Sequence, residues 1–200
     1  MTEHYFSNIP QSKSSPKTWK YQLRGKEYTF TSDVGVFSKD EVDFGSRFLV
    51  EKFEEPTIDG DFLDLGCGYG PLGITLADYY PNRHVVMVDV NERALVLAED
   101  NARQNDIDNV EVKQSDRFSS LLDRKFAAII TNPPIRAGKR IVHAILEESK
   151  SCLLEQGEIW VVIQKKQGAP SVREKLNTVF GNVEVVARNK GYYLLKAVNV

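Results

Sequence analysis

The chain is short of cysteine, of net charge and of long apolar runs, and each shortage removes a class of protein. Its two cysteines, Cys67 and Cys152, fall in a glycine turn and in a helical pattern, at no spacing that suits a disulfide framework or a metal cluster. A reducing compartment fits, and no metal is expected. A formal charge of -2 excludes a globally basic coat for nucleic acid but leaves a local basic patch open. No stretch approaches the roughly 20 apolar residues that cross a bilayer. The opening MTEHYFSNIP lacks a basic region followed by an apolar one, so no membrane contact and a cytoplasmic location are expected. The residues leave the oligomeric state, monomer or homodimer, open.

What is present organises itself along the chain as one domain with an appendage. Residues 7–16, SNIPQSKSSP, are polar, Ser-rich and closed by proline, so residues 1–17 are expected to form a flexible N-terminal arm and residues 18–200 the domain. WKYQL and EYTFT alternate large and polar residues around Arg24-Gly25-Lys26, the pattern of a small N-terminal hairpin. Asp43 looks like an N-cap for FGSRFLVEKF, whose Phe44, Phe48, Leu49 and Phe53 recur at helical spacing.

From there strand and helix alternate. The apolar runs DFLDL, HVVMVDV, NVEVKQ, FAAIIT and EIWVVIQ read as strands. Between them PLGITLADYY, NERALVLAEDNARQN, GKRIVHAILEESKSCL and PSVREKLNTVF read as helices. Such alternation specifies an α/β fold whose mostly parallel sheet is covered on both faces. VEVVARNKGYYLLKAV ends it differently, with two alternating runs around Asn189-Lys190-Gly191 that predict an antiparallel C-terminal hairpin. Counting those two strands, a Rossmann-like sheet of seven strands is expected.

Two motifs carry chemistry. In Asp64-Leu65-Gly66-Cys67-Gly68-Tyr69-Gly70 a strand runs into a turn whose missing side chains let backbone approach a ligand, ahead of a helix N-terminus. Gly68-Tyr69-Gly70-Pro71-Leu72-Gly73 also satisfies the dinucleotide pattern GxGxxG, so the loop alone admits either a dinucleotide or another nucleoside-bearing cofactor. Asp64, two residues before the first glycine, favours a ligand carrying an ammonium or sulfonium over a pyrophosphate. Asp89, with Val90 at the end of the next strand, is spaced to accept hydrogen bonds from ribose hydroxyls. Asp116, followed by Arg117 after the third strand of the alternation, can accept from an adenine amine or cap a short helix over residues 117–122.

The second motif, Asn132-Pro133-Pro134-Ile135, caps the fourth strand of the alternation beside the glycine loop. Two prolines stiffen the turn and leave the Pro133 carbonyl without a neighbouring N–H, so this carbonyl and the Asn132 side-chain oxygen form a pair of acceptors. An exocyclic amine conjugated to a ring is a poor nucleophile because its lone pair is delocalised. Two acceptors on its hydrogens shift it toward a tetrahedral, nucleophilic nitrogen, with no strong base needed before attack. Asn132 is expected to act on the amine first and on the cofactor second.

With these residues together, the chain resembles the class I methyltransferases, which share D-x-G-x-G-x-G and N-P-P-[YFI]. More closely it is similar to the small-domain type related to the bacterial 16S rRNA guanine-N2 methyltransferase C. The likeness runs from Trp19 onward and includes Gly35-Val36-Phe37-Ser38 and Asp43-Phe44-Gly45-Ser46. It implies S-adenosylmethionine as cofactor, rRNA or the small ribosomal subunit as partner, and a covering role for Phe37 and Ser38 over the pocket. Ile135 stands where many relatives carry Phe or Tyr, so a stacking ring must come from elsewhere, with Phe37 the candidate. Some relatives carry a second N-terminal domain that helps with substrate, and the exact rRNA position does not carry over.

Basic residues offer RNA contacts in two places. Lys13, Lys17, Lys20, Arg24 and Lys26 interleave with Trp19 and Tyr21, and Arg136, Lys139, Arg140, Lys165 and Lys166 follow the fourth and fifth strands of the alternation. His143 reads as a packed or exposed histidine rather than a general base. Two other readings stay open. One is a glutamine methyltransferase acting on release factors, which usually has Tyr after NPP; the other is a dinucleotide-binding oxidoreductase or sensor, which leaves NPPI unexplained. A DNA adenine methyltransferase would need a recognition domain for which 200 residues leave no room.

Overall fold

The structure is a computed structural model that describes residues 13–38 and 40–200. An antiparallel hairpin of β1 (Lys17–Leu23) and β2 (Lys26–Ser32) precedes α1 (Phe44–Lys52). The alternating part follows as β3 (Phe62–Leu65), α2 (Pro71–Tyr79), β4 (Val85–Asp89), α3 (Glu92–Gln104) and β5 (Val110–Gln114). It continues as β6 (Phe126–Thr131), α4 (Lys139–Ser151), β7 (Leu153–Gln164), α5 (Ala169–Phe180), β8 (Glu184–Asn189) and β9 (Tyr192–Val198). The seven-stranded sheet has the order β5-β4-β3-β6-β7-β9-β8. β3 to β7 pair in parallel, and β9 inserts antiparallel between β7 and the edge strand β8.

Alternation along each strand divides the core into two layers. Leu63, Leu65, Val86, Val88, Ile129 and Ile159 face α4 and α5. Phe62, Val85, Met87, Ile130 and Trp160 face α1, α2, α3 and the N-terminal hairpin. All six residues of β6 are buried, which explains its unbroken apolar run. The same period puts Asp64 on the α2 face, under the helix rather than at the rim.

Three expectations need adjustment. Helix α4 stops at Ser151, and Leu153 joins β7 because it pairs with Phe126, whose N–H donates to the Cys152 carbonyl at 2.9 Å. Residues 117–122 form successive turns rather than a helix; Arg117 has φ +50°, and the Ser115 hydroxyl accepts the Ser120 N–H at 3.2 Å. The expected arm does not extend to residue 17, because Lys17 opens β1 and Ser14 and Ser15 bond to the buried Asp33 at 2.7 and 2.6 Å. The remainder of the arm, residues 1–12, lies outside the described residues.

The hairpin packs its rings inward. Trp19 and Phe30 each meet Tyr69 of the glycine loop edge-on, at centroid distances of 5.9 Å. Asn101 in α3 donates from one amide nitrogen to the Thr31 and Tyr69 carbonyls, at 2.8 and 2.9 Å. The appendage therefore braces the loop that the sequence marks as a ligand cradle.

Candidate active site

The chain leaves β3 toward β4 and β5 on one side and returns to β6 on the other. The carboxyl ends of β3 and β6 therefore flank the point where the strand order reverses, the usual ligand crevice of such sheets. The Thr131 hydroxyl ties the two ends by donating to the Leu65 carbonyl at 2.8 Å. Over them opens a cavity of about 790 Å³, within the range that holds a nucleoside-sized ligand.

The glycine loop is built by its backbone. Gly66 and Cys67 both donate to the Val88 carbonyl, at 2.8 and 2.9 Å, which splays the chain off the sheet. Gly66 and Gly68 have φ of +79° and +56° and face open space where a side chain would start. Gly73 meets the sheet so closely that a Cβ there would lie 2.5 Å from Met87 Cγ and Sδ. Asp89 fixes the loop from the neighbouring strand, accepting from Gly68 N and Asn91 N at 2.9 Å each. Burial pushes its carboxyl above the ordinary range, against those bonds.

On the other side, Asn132 is held by α1. Its amide nitrogen donates to Asp43 Oδ1 at 3.0 Å and to Ser46 Oγ at 3.1 Å. The Asp43 oxygen also caps the helix, accepting from Ser46 N at 3.0 Å.

The cavity gathers most of the residues read from the sequence. Gly66, Cys67 and Gly68 line it with Asp89, Val90, Asp116 and Arg117 on the glycine-loop side. Asn132, Pro133, Pro134 and Arg136 line the opposite wall, and Phe37 and Ser38 lie at its margin. Phe37 is 43% exposed, so it is a pocket residue and not ordinary core. Ser38 turns its hydroxyl to the Glu41 carbonyl at 2.6 Å.

Four expected residues do not line it. Asp64 is fully buried beneath the loop, with Oδ2 accepting from Gly73 N at 2.8 Å and Oδ1 without a partner. Gly70 is the left-handed residue before α2, hemmed by Ile74. Ile135 packs partly buried against the layer under α4 and borders a second, smaller pocket instead of the cavity. Lys139 borders the same pocket, of about 120 Å³, with His143 and Ser171. His143 lines this second pocket and not the cavity, 3.0 Å from the Ser171 hydroxyl, and burial lowers its pKa.

Sequence reasoning missed Asn91, Gln114 and Ser115 on the cavity wall and offered Arg140 there only as an RNA contact. Asn91 was legible as the α3 cap and also reaches the Gly35 carbonyl at 2.9 Å. Asp43 and Ser46 were legible as the start of a helix and as part of the family resemblance, but not as partners of Asn132.

Unpartnered buried oxygen on Asp64, an open two-glycine cradle and an acid at the end of β4 fit a nucleoside cofactor that carries positive charge. They define a Rossmann-like protein with a nucleoside crevice facing an NPP turn. The chain belongs to the methyltransferase small-domain family, whose model matches residues 27–196. It is 57% identical over 201 residues, spanning 100% of both chains, to the uncharacterized protein YbxB of Bacillus subtilis (strain 168). Its fold matches that of the T. thermophilus 16S rRNA N2 G1207 methyltransferase RsmC, solved with AdoMet and guanosine, at a TM-score of 0.81 and 24% identity. That match covers 96% of this chain and 52% of RsmC, so this chain spans about half the length of that relative. M. jannaschii TYW2, solved with AdoMet, matches at a TM-score of 0.65 and 18% identity, over 90% of this chain and 85% of its own.

Proposed function

We infer that the chain transfers a methyl group from S-adenosylmethionine to an exocyclic amine, the 2-amino group of a guanine in 16S rRNA. The observation that carries this reading is the Asn132 amide, whose nitrogen is engaged by α1 while Asn132 and Pro133 line the cavity. When bound, the cofactor supplies an electrophilic methyl on a sulfonium. Gly66 and Gly68 admit it by their open backbone, and Asp89 is at hand for ribose hydroxyls. Asn132 Oδ1 and the Pro133 carbonyl take the two amine hydrogens and turn the nitrogen lone pair out of conjugation. Phe37 is the ring available to stack on the base, since it lines the cavity and Ile135 does not.

RNA is favoured over a protein substrate by the charges beside the cavity. Arg136 and Arg140 line the cavity and are exposed, Lys165 and Lys166 are exposed just past the end of β7, and among the described residues none of the four forms an ion pair. The N-terminal basic segment offers less. Lys17, Lys20 and Lys26 pair with Asp40, Glu27 and Asp78, Arg24 stacks on Tyr79 at 3.7 Å, and Trp19 and Tyr21 pack inward. The test is incubation with labelled S-adenosylmethionine and, separately, 30S subunits, free 16S rRNA and release factor, followed by nucleotide mapping. Label in one guanine of the rRNA is expected; label in the release factor alone would overturn the substrate.

A further inference from the structure

An amide side chain has nearly the same shape in its two flipped orientations, but one presents an acceptor and the other a pair of donors. Which one Asn132 shows to the cavity decides what the site can hold. With oxygen outward it accepts from an amine; with nitrogen outward it donates to a ring carbonyl and leaves the amine unassisted.

The structure supplies a residue that makes this choice. Asp43 Oδ1 lies 3.0 Å from the Asn132 amide nitrogen and Ser46 Oγ lies 3.1 Å from it. Flipping the amide would set its oxygen against an Asp43 oxygen that already serves as the acceptor for the Ser46 N–H. Ser46 could rotate its hydroxyl to donate to either orientation, so Asp43 is the discriminating partner. The fit is close. A Cβ at Gly45 would lie 3.1 Å from Asp43 Oδ1, 3.2 Å from the Asn132 nitrogen and 3.2 Å from the Tyr192 ring, so glycine there leaves room for the contact. Ser46 is buried, and the Asp43 oxygen is itself pinned by the Ser46 N–H.

We propose that Asp43, assisted by Ser46, is a positioning residue that locks the Asn132 amide with its oxygen toward the cavity and so makes the NPPI turn selective for amino groups. This rests on the amine-methylation reading, and it assigns to the first turn of α1 a role beyond capping. The helix start and the methyl-acceptor seat share one carboxylate oxygen.

Asp43→Ser separates the two roles, because serine is a good N-cap but is too short to reach Asn132. The expected result is a kcat about tenfold to a hundredfold lower, the consequence of losing a charged hydrogen bond, with cofactor affinity and melting temperature close to wild type. Asp43→Asn keeps an acceptor in the same place and should restore most of the rate. The second readout needs no substrate. In ¹⁵N NMR the Asn132 side-chain amide, identified by its loss in Asn132→Ala, should show slow proton exchange in wild type and in Asp43→Asn, and fast exchange in Asp43→Ser. Unchanged exchange in Asp43→Ser, or altered exchange with a wild-type kcat, overturns the proposal. If the wild-type protein methylates no amine, the function reading fails, and the amide exchange still decides whether Asp43 holds Asn132. Should Asp43→Ser not fold, Ser46→Ala, with a smaller loss of rate and a partial gain in exchange, takes its place.

Discussion

At the scale of single residues, the site's unusual member is Asp64. Burial pushes its carboxyl up to about 7, opposed by the Gly73 N–H and reinforced by Asp89. A carboxyl whose folded pKa exceeds its unfolded value holds a proton in the native state that the unfolded chain has lost. The contribution of Asp64 to native stability is therefore most favourable below pH 4 and declines as pH rises toward about 7. Asp64→Asn keeps the acceptor for Gly73 and removes the charge. Its melting temperature should match wild type at about pH 4 and exceed it increasingly up to about pH 7, with a constant gap beyond. Its affinity for S-adenosylmethionine, by calorimetry at pH 8, should be weaker, because the cation loses a carboxylate beneath the loop. Melting curves that run parallel at every pH would show that Asp64 is not titrating where its burial places it. The sequence marked the acid and suggested an attraction for a cation, but not that it lies beneath the loop; that depends on which face of β3 the residue occupies.

At the scale of elements, most of the fold was legible. Alternation of period two and of helical period placed β3, β4, β5 and β6 and all five helices close to where they form, because each buries one face against a single sheet. The start of β7 was not legible. Leu153 and Leu154 continue the apolar pattern of α4, and only the pairing of Leu153 with Phe126 of β6, ahead of a kink at Gln156 (φ +63°), marks the strand. The basic hairpin shows the same limit. Lysines and rings alternate along β1 as a nucleic-acid surface would, yet pairing turns the rings onto Tyr69 and sets acids against the lysines. Under the proposed function, the RNA contact falls to the start of α4 and the end of β7. Reversing Arg136 and Arg140 to Glu should lower methylation of rRNA and reduce the salt slope by about one for each phosphate that is no longer neutralised. Reversing Lys20 should change neither. Equal effects at both places would return the RNA-binding role to the hairpin.

At the scale of the whole molecule, two halves of the sheet meet at one crevice. The β3–α2 loop brings an open backbone and an acid-lined wall, and the β6–α4 turn brings two acceptors on a stiff support. The hairpin and α1 hold them from outside, through Tyr69 on one side and Asn132 on the other. Neither support was visible in the motifs, since both depend on contacts between residues far apart in sequence.

This division of labour predicts that cofactor binding and methyl transfer can be separated. The most direct test is the single-turnover rate of Asn132→Ala on the substrate that wild type labels, at saturating S-adenosylmethionine, in protein whose melting curve is intact. Loss of a fixed acceptor at a developing charge costs about 2.7 to 4 kcal/mol, so the rate should fall on the order of a hundredfold to a thousandfold while most cofactor affinity remains. A wild-type rate would contradict the account and reduce the NPPI turn to the end of a loop.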